Sequence, residues 1–335
     1  MAIIRTNAQN QIAMWGEATF NTRPTPVSKG QRIPIIGHDL GRTQALATSR
    51  VLRGDPNLSQ PPRGRYHNDG HKMSIPIERN MIGLLLYKMF PSYAVAGGAD
   101  PYTHTFKLVA GAWHAAGPYF GCEIWDTEAG KGDVLDGNCI LGLDCEVNTD
   151  DTEAMLTFTT AGTAKGTWEA GTREQASPTT YTDVLFNMAD VILKVDTVQT
   201  TMVANAKFSI SRKVSVRYVP DGNRYASVIV IGGIDKASVS LTGLFDDAAT
   251  IKVLATGEAE HNIEFIFKHP TNANHKLSFL FPEVQCYLSN VPAVGSGNER
   301  EISIDGTAYY QDGGDASCVK VVLNNPLATY VGLMQ

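Results

Sequence analysis

SVSLTGLFDDAATIKVLATGE, residues 238–258, changes character halfway. Val239 and Leu241 alternate with Ser238, Ser240 and Thr242, the period of a strand with one buried face. Leu244 and Phe245 extend it past Gly243. Asp246 and Asp247 then precede 248–254, a run that suits a short helix. Carboxylates fit a helix start, where exposed N–H groups and the dipole favour negative charge. A sheet buries one face and needs a second layer, which one helix across the open end of a β-sandwich supplies.

The same event occurs earlier in the chain. KMSIPI (72–77) runs into ERNMIGLLLYKMF (78–90), apolar at Met81, Ile82, Leu84, Leu85, Leu86 and Met89, interrupted by Gly83, and preceded by Glu78. In the first half THTFKLV (103–109), FGCEIWD (120–126), the loop EAGKGDVLDG (128–137), CILGLDCEV (139–147) and AMLTFTT (154–160) follow. In the second half NIEFIFKH (262–269), KLSFLFPEVQCY (276–287), the loop NVPAVGSGN (290–298), EISIDGTAYY (301–310) and CVKVVLNN (318–325) follow. The turns NTDDTE (148–153) and QDGGDA (311–316) also correspond. Matching order points to an internal duplication. The expected fold is mainly β, a duplicated β-sandwich or barrel with one short helix in each half.

The expected division is an N-terminal arm at 1–36, an extended loop at 37–70, a first half at 71–166, a linker at 167–182 and a second half at 183–335. The loop carries Arg42, Arg50, Arg53, Arg63 and Arg65. A loop of this length within a compact domain usually has a function or is disordered. The apolar run 228–231 predicts a fully buried strand.

Composition narrows the function. The 335 residues are 43% hydrophobic and 19% charged, with a formal net charge of -6. That argues against a dedicated nucleic-acid binder, which carries a basic footprint. Five cysteines at irregular spacing, without C-x-x-C, predict reduced and buried thiols. The first residues lack the basic and apolar regions of a secretory signal, and the run 81–86 is too short to span a bilayer. A soluble protein made in the cytoplasm is expected.

No chemistry stands out. His67 and His71 in HNDGH flank Asp69, but Asn68, Asp69 and Gly70 read as a turn, not as the helix on which histidines four apart share a face. His261, His269 and His275 are expected at the surface. G-x-S-x-G, Walker and G-x-G-x-x-G motifs are absent from the sequence. Asp150 with Asp151, Asp246 with Asp247, and Glu283 could imitate a glycosidase dyad, yet a turn and a helix start account for the pairs. Trp15, Trp113, Trp125 and Trp168 are scattered rather than clustered as a sugar platform. No catalytic residue, no metal site and no cofactor is expected.

The strand order resembles the tail tube (major tail) proteins of long-tailed bacteriophages. The resemblance rests on GNCILGLDCEV followed by AMLTFTT, on ASVIVIGGIDKASVSLTGLFDD, on HKLSFLFPEVQCYLSNVPAVGSGNEREISIDGTAYYQD with its proline step at Phe281, Pro282, Glu283 and Val284, and on the late VVLNNP. It covers roughly residues 50–326, and the arm departs from it. The resemblance implies a structural virion protein, not an enzyme, assembled in the host cytoplasm. It implies rings of three or six chains, stacked into a hollow tube whose usually acidic lumen DNA crosses during ejection. It further implies contacts with tail-tip or baseplate, tail terminator and tape measure proteins, and none with membrane. The arginine loop is then expected to clasp acidic surface of the next ring. The rival readings are a decoration or baseplate β-sandwich, and a carbohydrate-binding module or hydrolase.

Overall fold

The computed structural model describes residues 10–24, 30–41, 43–46, 63–109, 113–114, 117–148, 153–163, 165–181, 183–200, 203–220, 223–244, 254, 259–290, 301–311 and 316–333. In chain order the strands of the first half are β1 (Asn10–Gly16), β2 (Gln31–Ile33), β3 (Gly37–His38), β4 (Thr43–Leu46) and β5 (Arg63–Pro76). Helix α1 (Ile82–Met89) follows, then β6 (Ser92–Ala96), β7 (Tyr102–Lys107), β8 (Phe120–Asp126), β9 (Lys131–Asn148) and β10 (Met155–Gly162). The second half holds β11 (Val191–Val195), β12 (Val198–Gln199), β13 (Val203–Arg217), β14 (Val228–Leu244), β15 (His261–Lys268), β16 (Lys276–Asn290), β17 (Glu301–Ala308) and β18 (Lys320–Asn325). The fold is mainly β, as the alternating pattern predicts, and every ladder between these strands is antiparallel.

The two halves repeat one pairing scheme. β8–β9–β10–β5 in the first half matches β15–β16–β17–β14 in the second. Around these, β1 pairs β8 and β2 pairs β1, just as β11 pairs β15 and β12 pairs β11. β3 and β4 lie on β5, as β13 lies on β14. The strand correspondence differs from that expected from sequence order. FGCEIWD matches NIEFIFKH, CILGLDCEV matches KLSFLFPEVQCY, and AMLTFTT matches EISIDGTAYY. THTFKLV and CVKVVLNN stand outside the repeat and pair with each other as β7 and β18. Order alone could not separate an inserted strand from a repeated one; hydrogen bonding does.

The halves share one core. Phe208 of β13 packs on Phe265 of β15 and Phe279 of β16, with centroids 4.9 and 4.6 Å apart. Burying each such side chain contributes about 1.5–3 kcal/mol. Every residue of α1 is buried. Glu78 stands just before its start, as expected: its carboxylate accepts the N–H of Asn80 at 3.1 Å and of Met81 at 2.6 Å in the turn that leads into the helix. The helix is shorter than the predicted span of 78–90, because 78–81 form this turn. The second expected helix, 248–254, lies outside the described residues except for Leu254, which is helical and buried.

Several expectations are corrected. Residues 10–16, assigned to an arm, form a strand paired to both β2 and β8, with Ile12, Ala13, Met14 and Trp15 buried. Successive buried residues mean that both faces of this strand are covered, which removes the alternation by which it would be recognised. The loop expected at 37–70 contains β3 and β4, and β5 begins at Arg63. HNDGH is therefore strand rather than turn. The start of the linker lies along β9: the N–H groups of Val134 and Gly132 donate to Thr167 and Ala170 O at 2.9 and 3.0 Å. Val228 and Val230 are exposed, because this part of β14 pairs β13 as a ribbon with one covered face.

His261, His269 and His275 are buried, not exposed. Carboxylates make this tolerable: His261 Nδ1 lies 2.8 Å from Asp196 and His275 Nε2 2.8 Å from Asp100, while His269 Nε2 is 3.7 Å from Asp183. All five cysteines are free and buried, as expected, and burial pushes the thiols up.

Candidate functional site

The long strands place both halves in one continuous sheet, running β3–β5–β10–β9–β13–β14–β17–β16. The seam is the β9–β13 pairing, from Asn148↔Asn205 to Gly142↔Ser211. Period two sorts the side chains of this sheet. Phe208, Ile210, Val239, Leu241 and Ile304 face the core. The alternate positions line a polar trough of about 740 Å³ that draws residues from β5, β9, β10, β13, β14, β16 and β17.

Its charged residues are Lys72, Asp144, Glu146, Lys207, Lys236 and Asp305, three of each sign, with Thr157, Ser209, Ser238, Ser240 and Thr307 between them. Register interleaves the signs: Lys207 stands opposite Glu146, and Asp144 is opposite Ser209 and Thr157. This arrangement presents a polar, mixed-charge surface. Sequence reasoning found the strands but not this face. Its signal was the polar alternation in DCEV, KFSIS, KASVS and SIDGT, whose common face only sheet order reveals.

The arginines fall differently. Arg42, Arg50 and Arg53 lie outside the described residues, as does the side chain of Arg63, whose backbone pairs Leu46 in β5. Arg65 is exposed, with its guanidinium 4.7 Å from the Tyr218 ring centroid. Beside it Tyr66 stacks on Tyr225 at 5.2 Å, donates its N–H to Arg224 O at 3.0 Å, and accepts the Tyr218 hydroxyl at 2.7 Å through its carbonyl. The base of the arginine loop is thus fastened to the β13–β14 ribbon.

The side chains of His67 and Asp69 lie outside the described residues, and His71 Nδ1 is 3.6 Å from Asp39. Among the described residues no three His, Cys, Asp or Glu side chains are grouped to hold a metal ion. Asp150, Asp151, Asp246 and Asp247 are outside the described residues as well. Trp15 is buried; Trp125 and Trp113 face the guanidinium groups of Arg173 and Arg212, at 5.0 and 4.5 Å; Trp168 is exposed.

Glu17 and Lys88 are buried ionisable groups that influence each other electrostatically. Glu17 accepts the Gly137 N–H at 3.0 and 3.1 Å, and burial raises its carboxyl to about 7. Lys88 reaches Gly117 O at 3.3 Å, and burial lowers its ammonium to about 8. No described helix is long and apolar enough to cross a membrane.

No individually curated protein matches the sequence. The family model described as phage tail tube protein matches residues 7–308, nearly the whole chain, including every strand of the repeated sheet. The chain belongs to the phage tail tube protein family and is a structural protein of the bacteriophage tail.

Proposed function

We propose that copies of this chain assemble into rings that stack as the hollow tail tube, with the polar trough face forming the lumen wall along which DNA passes. The observation that carries this reading is the single polar face running unbroken from the first half into the second across β9 and β13. A sheet with a packed apolar side and a long hydrated side suits a wall between protein and solvent. Such a wall carries as many lysines as carboxylates among its charged lining residues. DNA then slides because interleaved signs offer phosphates no basic run, not because the wall is uniformly acidic.

Tail-tip, tail terminator and tape measure proteins are the partners of such a tube, assembled in the host cytoplasm, and no enzymatic step is assigned. Arg42, Arg50, Arg53, Arg63 and Arg65 remain the proposed inter-ring contact. Negative-stain electron microscopy over a range of concentrations tests assembly. Hollow rings or tubes are expected. Dispersed monomers at every concentration, with a tail-tip complex supplied as initiator, overturn the reading.

A further inference from the structure

The turn joining β15 to β16, residues 269–275, belongs to the second half but closes on the first. Its two histidines, His269 and His275, are buried. Arg79, in the turn before α1, reaches across to His275, with Nη1 2.5 Å from Nδ1. Asp100, between β6 and β7, takes the other ring nitrogen, Nε2, at 2.8 Å. Arg79 Nε also pairs with Asp183, which lies between the linker and β11. The same carboxylate is 3.7 Å from His269 Nε2. The two imidazole rings meet edge to face with centroids 6.0 Å apart, and the Phe186 ring lies perpendicular to His269 at 5.6 Å. The β15–β16 ladder ends at Lys268↔Lys276. Beyond it the turn rests on these side chains and on two backbone bonds of its own, His269 N–H to His275 O and His275 N–H to Asn272 O, at 3.0 Å each.

These partners fix the protonation state. A guanidinium has donors and no acceptor. His275 Nδ1 therefore accepts from Arg79, which leaves the ring's one proton on Nε2, facing Asp100. The Thr271 N–H donates to His269 Nδ1 at 3.3 Å, so that ring too carries its proton on Nε2, facing Asp183. Both imidazoles are neutral. A second proton on either ring has to go on Nδ1, where a donor already stands. Asp100 and Asp183 favour charge on the rings, but Asp183 is committed to Arg79, and Asp100 is half exposed, which screens its pull. Burial and then the Arg79 charge push His269 below the ordinary histidine value. The remaining charged neighbours are Glu78, whose carboxylate is held by Asn80 and Met81, and Lys268 and Lys276, exposed at the two ends of the turn.

We infer that residues 269–275 form a proton-sensitive clasp, shut on Arg79 and Asp183 while His269 and His275 are neutral and released when they take up protons. The inference does not depend on the tube reading. Shut, the clasp fastens the second half to the first at a point away from the β9–β13 seam. Arg79 carries the hold onward, since its carbonyl accepts the Asn325 Nδ2–H of β18 at 2.7 Å. Released, the turn opens locally while the ladders of the sheet stay paired. The direction follows from proton counting. The open turn binds protons that the shut turn excludes, so the clasp is firm above the ordinary histidine value of about 6.5 and weakens as pH falls below it. Each ring held neutral weakens it by about tenfold per pH unit.

Hydrogen exchange of the full chain, followed by mass spectrometry and corrected for the intrinsic effect of pH, tests the clasp. A global melt would mix it with Glu17, which titrates in the same range. Between about pH 7.5 and about pH 5.5, protection over 268–276 is expected to fall about tenfold if one ring is held neutral and about a hundredfold if both are. Protection across the β9–β13 seam is expected to hold. His269→Gln and His275→Gln are each expected to remove about a tenfold share of the fall, and the double variant to show none. Equal protection at both pH values in the parent chain overturns the clasp. A fall that survives in the double variant overturns its assignment to these two rings. The parent's ring nitrogens give a reading free of any effect of substitution on folding: nitrogen NMR at about pH 7.5 is expected to show His269 and His275 protonated on Nε2 alone. A proton on Nδ1 of either ring overturns the inference.

Discussion

Gly83→Ala provides a prediction whose sign is set by competing effects. In a helix interior alanine is favoured over glycine by about 1 kcal/mol, so α1 considered alone gains stability. The structure reverses this. A Cβ on Gly83 would overlap the ring and hydroxyl of Tyr330, which is 0% exposed. That ring cannot retreat freely. Its centroid lies 4.8 Å from that of His104, and its hydroxyl donates to Asn80 O at 2.9 Å and is hydrogen-bonded by Asn325 Nδ2. Overpacking costs about 1–3 kcal/mol, and disrupting a buried hydrogen bond costs about 1–3 kcal/mol more. With the propensity gain subtracted, Gly83→Ala is expected to destabilise the chain by about 1–5 kcal/mol. Urea unfolding followed by tryptophan fluorescence should show a lower midpoint at unchanged slope. Adding Tyr330→Leu, which frees the space, should make the double variant less damaged than the two single losses predict. An unchanged or raised midpoint for Gly83→Ala refutes the close approach of α1 and Tyr330.

Glu17 gives a pH dependence. Its folded value of about 7 exceeds the ordinary 4.5, so between these values the folded chain holds a proton that the unfolded chain releases. Stability is therefore expected to fall as pH rises from about 4.5 to about 7. Glu17→Gln should flatten that slope and stabilise the chain at pH 8 by about 2–3 kcal/mol, less if Lys88 suffers from losing the nearby charge; equal slopes in thermal melts across this range contradict it. Deleting 47–62, which spares the Tyr66–Tyr225 stack, should leave folded subunits and impair tube formation; tubes of normal length on micrographs would remove the arginine loop from inter-ring contact.

Much of the fold was legible in the sequence. Period-two alternation at 238–242 and 302–308 required strands with one covered face, whatever else the chain did. Met81, Ile82, Leu85 and Met89 fell on a helical stripe, and Glu78 stood where a capping carboxylate belongs. Irregular cysteine spacing left buried, free thiols as the simplest reading. These are local properties, set by backbone geometry and the pairing needs of a few neighbouring groups.

Tertiary structure decided the rest. IAMWG gave no alternation because both faces of β1 are covered, and its place in the sheet depended on residues more than a hundred positions away. Gly83, which weakened the helix reading, is accounted for by Tyr330 near the other end of the chain. The histidines looked like surface residues until Asp100, Asp183 and Asp196 were brought beside them. The repeat was visible as an order of strands, but matching them required knowing which strands bond, and β7 and β18 are indistinguishable from repeated strands without that. The polar face is likewise a product of sheet order. A strand's sequence states which side chains share a face; only its neighbours determine whether that face is core, wall or edge.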